Sequence, residues 1–158
     1  MTAFQRVLCA VDFSDTSSRA LLYAERLARE TGAELTLLHA FDAPVSYDAA
    51  GQYEPARQEI KRQFDELAPM HPEVKVDRVM HAGPPGEVIC WLAQERHCDL
   101  IVMGTHGRTG LRHLMLGSVA EYVVRHARCP VTVVRDPPAQ ELPLTEPRVL
   151  PLPAPPWM

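Results

Sequence analysis

Apolar and polar positions follow two rhythms along this chain. Val7-Leu8-Cys9-Ala10-Val11 is apolar without alternation, the pattern of a strand covered on both faces. Asp12-Phe13-Ser14-Asp15 breaks that run and offers a helix cap. Ala20, Leu21, Ala24, Leu27 and Ala28 then recur at helical spacing, and Gly32 suits the left-handed position that ends a helix. A second strand is predicted over 34–40, followed by a loop from Phe41 to about Tyr53 that is long for an α/β connection. Ala56, Ile60, Phe64 and Leu67 mark a second helix. Val74, Val76 and Val79 mark a strand with one less protected face. Gly83-Pro84-Pro85-Gly86 opens a third helix carrying Val88, Ile89, Leu92 and Ala93. A fourth strand is predicted over 99–103, a fourth helix from Ser118 to about Ala127, and a fifth strand over 131–134. Strand and helix alternate throughout, which argues for a parallel sheet with helices on both faces. Glu30-Thr31-Gly32-Ala33-Glu34-Leu35 is echoed by Glu95-Arg96-His97-Cys98-Asp99-Leu100, which reads as one helix-to-strand join used twice.

Composition narrows the function classes. A chain of 158 residues with 46% hydrophobic and 23% charged residues fits one globular domain. A net charge of −4 gives no global attraction to nucleic acid or anionic membrane. No apolar run approaches the roughly 20 residues of a membrane span, and the N-terminus has no signal-peptide layout, so the expected location is the cytoplasm. Cys9, Cys90, Cys98 and Cys129 form no Cys-x-x-Cys pair and sit in apolar segments, as buried reduced thiols do. The seven histidines are scattered without metal-ligand spacing.

The chemistry concentrates after the fourth strand. Gly104, Gly107 and Gly117-Ser118 bracket a loop that feeds the fourth helix. Gly104 and Gly107 permit positive φ and leave no Cβ between main-chain amides and a ligand. Ser118 can cap the helix or donate its hydroxyl to an oxyanion. The first amides of a helix lack internal acceptors and carry the positive end of its dipole, so an anion fits there. His106, Arg108, Arg112 and His113 add cationic side chains to the same loop. Two readings fit this pattern: a phosphate cradle, or a tight βα connection whose glycines only shape the turn.

The spacing Gly104-x-x-Gly107, nine residues, then Gly117-Ser118 resembles the nucleotide-binding signature of the ATP-binding branch of the universal stress protein family. Val7-Leu8-Cys9-Ala10-Val11-Asp12-Phe13-Ser14 and Cys129-Pro130-Val131-Thr132-Val133-Val134 agree with it in order and spacing, and the resemblance covers about 4–135. It implies a doubly wound, Rossmann-like sheet of five parallel strands in the order 3-2-1-4-5. The ends of strands one and four then meet at the topological switch point, where ligands of open α/β sheets gather. On this resemblance Ala10, Val11, Asp12 and Phe13 line the nucleoside end, and Ala40 contacts adenine through its backbone. Gly104, Gly107, Gly117, Ser118 and Val119 hold the phosphates on the same resemblance. From the residues themselves, Met103 is acceptable as an apolar wall, and Arg108 is a better candidate than His113 to touch phosphate, the alternative being a solvated loop with charged tips. Asp12 can accept from a ribose hydroxyl or help to hold Mg²⁺; its structural alternative is to cap the first helix.

Enzymatic machinery is not evident. The chain has no Walker Gly-x-x-x-x-Gly-Lys-[Ser/Thr] and no Gly-x-Ser-x-Gly elbow. The related ATP pyrophosphatases carry Ser-Gly-Gly-x-Asp-Ser after the first strand, and Asp12-Phe13-Ser14-Asp15-Thr16-Ser17 lacks those glycines, so adenylating chemistry is not expected. The leading expectation is an ATP-binding stress or signalling protein with at most slow ATP hydrolysis. The alternative is a dimeric interaction module that binds no nucleotide. Val131-Thr132-Val133-Val134 reads as an apolar edge strand in need of a partner, and the resemblance implies a homodimer through residues 130–135. Residues 1–135 are expected to form the nucleotide-binding domain and 136–158 a separate tail. Eight of the last 23 residues are proline, which excludes regular structure and leaves an extension or an arm that lies on the domain or on a protein partner.

Overall fold

A computed structural model describes residues 4–42, 53–67, 71–106 and 116–137. Gly107, Arg108, Arg112 and His113, most of the loop after the second strand and the tail from residue 138 lie outside the described residues. The elements run β1 (Arg6–Ala10), α1 (Asp15–Thr31), β2 (Glu34–Phe41), α2 (Tyr53–Glu66), β3 (Val76–Ala82), α3 (Pro85–Glu95), β4 (Leu100–Gly104), α4 (Ser118–His126) and β5 (Val131–Val134). The strands form one parallel sheet in the order β3-β2-β1-β4-β5. Val74 lies just before β3 as a buried anchor, and Val11 follows β1 while still donating its amide to Leu38 O at 2.8 Å.

Side chains divide by the two-residue period of the strands. Val7 and Cys9 of β1, Leu35 and Leu37 of β2, and Leu100 and Val102 of β4 face one way. They meet Ala20, Leu21, Ala24 and Ala28 of α1 and Ile60 and Phe64 of α2. Leu8, Leu38, Ile101 and Met103 face the other way and meet α3 and α4 through Val88, Ile89, Leu92, Ala120 and Val123. Burial on both faces is why the central strands are apolar at every position rather than at alternate ones. β3, at the sheet's edge, carries exposed Asp77 and Arg78.

The echoed hexapeptides are one junction built twice. Gly32 (φ 73°) and His97 (φ 51°) are both left-handed. Ala33 N then donates to Ala28 O at 3.1 Å, and Cys98 N to Ala93 O at 2.8 Å, in the manner of a Schellman turn. Each chain next joins β1, Glu34 N to Gln5 O and Asp99 N to Arg6 O, both at 2.9 Å.

Candidate functional site

β1 pairs with both β2 and β4, so the chain segments leaving β1 and β4 emerge side by side at the carboxyl end of the sheet. The segment after β1 is tightly held. Asp12 Oδ1 accepts the Ser14 amide at 3.0 Å, and Asp12 N donates to Ser17 Oγ at 3.3 Å. The cap of α1 is Ser14, whose Oγ accepts the Ser17 amide at 3.2 Å. Asp12 therefore acts one turn earlier, in an Asx turn that leads into the helix. Phe13 adopts φ 63°, unusual for a residue with a bulky side chain. Its ring is held 4.6 Å from His39 and 5.4 Å from Phe64. His39 Nδ1 lies 2.8 Å from Val11 O, so that nitrogen carries the proton and donates. Aromatic packing and hydrogen bonds fix a bend that the backbone alone disfavours.

The site residues divide between the two layers. Ala10, Ala40 and Val119, partly buried, pack with Met103 in the α3/α4 layer. Val11, 4% exposed, and Phe13 turn into the α1/α2 layer, so what Val11 presents at the strand end is backbone. Asp12 is half-buried between them.

Beyond β4 the chain narrows to a neck. Thr105 N donates to Val134 O at 2.9 Å, and Gly117 N donates to Thr105 O at 2.6 Å, which seats the start of α4 against the end of β4. Gly117 is the cap residue of α4, makes no side-chain cap bond, and leaves Ser118 as an exposed first-turn residue. The expected capping by Ser118 is not what forms, because the helix starts one residue too early for its hydroxyl to reach back. Positive φ is also not what the described glycines of this loop supply. A Cβ on Gly104 would stand 2.8 Å from Thr16 Cγ2, and one on Gly117 2.8 Å from Thr105 O. Both glycines serve close approach: Gly104 admits α1, and Gly117 closes the neck.

His106 enters the loop beside this neck. Its Nδ1 is 2.9 Å from Thr105 Oγ1, while its Nε2 is buried and makes no hydrogen bond among the described residues. A buried ring nitrogen without a partner is costly and asks for an acceptor or donor from outside the fold. The sequence places His106 among the loop cations, but spacing alone gives no reason to single it out.

No thiol is activated. Burial pushes Cys9 far up, with the Glu25 carboxylate adding to it, and pushes Cys98 up to about 11. Burial also raises Cys90 and Cys129, and all four cysteines are free. Among the described residues no three His, Cys, Asp or Glu side chains converge as a metal site, and no helix is long and apolar enough to cross a membrane.

The model of the Universal stress protein family matches residues 3–135. Universal stress protein MJ0531 of Methanocaldococcus jannaschii is 36% identical over 142 residues, spanning 85% of this chain and 84% of that protein. Among solved structures, universal stress protein UspA from Lactobacillus plantarum superposes with a TM-score of 0.67 at 27% identity, covering 83% of this chain and 97% of that one. A universal stress protein in complex with cAMP superposes with a TM-score of 0.61 at 25% identity, covering 84% and 98%.

Proposed function

The chain belongs to the universal stress protein family, and from that premise we propose that it binds an adenine nucleotide, with ATP as the preferred ligand, in a stress-response or signalling role. The carrying observation is the neck at the end of β4. It seats an α4 N-terminus without a side-chain cap against the strand that neighbours β1, with an unsatisfied His106 Nε2 beside it. First-turn amides, and the His106 ring in the tautomer that carries its proton on Nε2, are donors of the kind a phosphate oxygen accepts. A relative with the same fold is solved with cAMP, an adenine nucleotide.

In this reading Ala10, Ala40, Met103 and Val119 wall the base and sugar beside Val11, and the backbone at Ala40 supplies polar contacts to adenine. Phe13 acts through its backbone bend, which fixes Asp12. Gly104, Gly107, Gly117 and Ser118 surround the phosphates, with Arg108 closing from the loop. Asp12, at the carboxyl end of β1, is the carboxylate placed for the ribose or for Mg²⁺, which commonly takes one or two carboxylates together with nucleotide phosphates. Mg²⁺ would offset phosphate charge; binding, not turnover, is the activity proposed. The protein is a homodimer, two β5 edges meeting across a two-fold axis through residues 130–135.

Purified protein is denatured and the released small molecules are identified by mass spectrometry, and stripped protein is titrated calorimetrically with Mg-ATP. An adenine nucleotide in the release, or one ATP bound per chain, is the expected result. A chain that is purified empty and takes up no Mg-ATP overturns the reading and leaves an interaction module.

A further inference from the structure

The described chain ends with its last acidic side chain tied to α1. Asp136 Oδ2 accepts from Thr16 Oγ1 at 2.8 Å, and Asp136 Oδ1 lies 3.5 Å from Arg19 Nε. The chain therefore leaves β5 over the α1 face of the sheet, not along the open edge of β5. One turn beyond Arg19, α1 exposes two large apolar side chains, Leu22 (46%) and Tyr23 (45%). Arg26, exposed, follows them on the same stripe at helical spacing. The polypeptide that continues from Asp136 reads Pro137-Pro138-Ala139-Gln140-Glu141-Leu142-Pro143-Leu144. Its apolar residues come as a Leu-Pro-Leu triplet, preceded by one acid and no base.

We propose that the segment 139–144 docks on the outer face of α1 in its own chain, Leu142 and Leu144 covering Leu22 and Tyr23 and Glu141 facing Arg26. Reach permits it. Six residues of extended, proline-rich chain span about 19 Å, while Thr16 to Tyr23 is about 10 Å along the helix. Proline lowers the entropy cost of docking, because its ring fixes φ in free and bound chain alike. The segment needs no strand partner, so a helix surface suits it better than the β5 edge. This docking is independent of whether nucleotide binds.

The test is nuclear magnetic resonance on the full chain. Heteronuclear relaxation is compared for the amides of 139–144 and those of α1, and contacts are sought from the Leu142 and Leu144 methyls to the Tyr23 ring. Rigid amides, those contacts within one chain, and their loss in a Leu22→Ser/Tyr23→Ser variant with unchanged core resonances are the expected results. Arg26→Glu should loosen the segment, and adding Glu141→Arg should restore it, which keeps the test decisive if the double variant misfolds. Free-chain relaxation in the wild type overturns the proposal. So does a rigid segment indifferent to these substitutions, or contacts that arise only between differently labelled copies.

Discussion

At Gly117 a Cβ would meet the Thr105 carbonyl oxygen at 2.8 Å, a backbone atom that cannot swing aside. Gly117→Val must therefore open the neck between β4 and α4 while leaving both layers of the core untouched. ATP affinity is expected to fall by at least about tenfold, or about 1.4 kcal/mol, with far-ultraviolet circular dichroism unchanged; undiminished affinity in calorimetry would count against the cradle. His97 gives a second residue-level prediction. It occupies the left-handed position that Gly32 fills in the twin junction, at φ 51° and exposed. His97→Gly should stabilise the fold by about 1 kcal/mol, a rise of about 3 °C in melting temperature for a chain of this size. A thermal melt that stays the same or falls would show that the imidazole contributes there. Both glycine types were visible as letters, but their reasons were not. A sequence does not separate a glycine chosen for dihedral freedom from one chosen because another backbone passes close by.

Elements were legible almost to the residue, because strands buried on both faces and helices with one apolar stripe leave different periodicities. What the letters left open falls at ends, where a cap decides. Within Asp12-Phe13-Ser14-Asp15 it is Ser14 that caps α1, and of the two roles open to Ser118 the cap falls to Gly117 instead. β5 carries the element-level prediction. Ile101 N donates to Pro130 O and Thr105 N to Val134 O, so even-numbered residues of β5 face β4 and the amides of Val131 and Val133 face the edge. Val133→Pro removes an outward donor and spares the inward ladder, the position in which an edge strand tolerates proline. Sedimentation velocity should show dimers of wild type at micromolar concentration and monomers of the variant. Dimers of both would mean that pairing does not run through the β5 backbone.

For the whole molecule, two helical layers over one sheet bury Cys9 and Cys98 and half-bury Cys90 and Cys129. Burial raises every one of these thiols, so little thiolate exists at neutral pH and nucleophilic reaction is suppressed. Iodoacetamide at neutral pH is expected to leave Cys9 and Cys98 unmodified in the native protein and to label all four cysteines in denaturant, as read by intact mass. Rapid native labelling of Cys98 would mean that the α3/α4 layer opens easily. Apolar runs, their lengths and the turn residues between them set the fold class from the sequence alone, since each is a local record of which face must leave water. The glycine spacing likewise marked the junction at which β4 hands over to α4. Tertiary structure alone decided that Phe13 turns away from Ala10 and Met103, that Asp136 ties the end of the sheet to α1, and that His106 Nε2 has no partner among the described residues. Those outcomes depend on which backbones pass within bonding distance across scores of residues, and no local pattern encodes that.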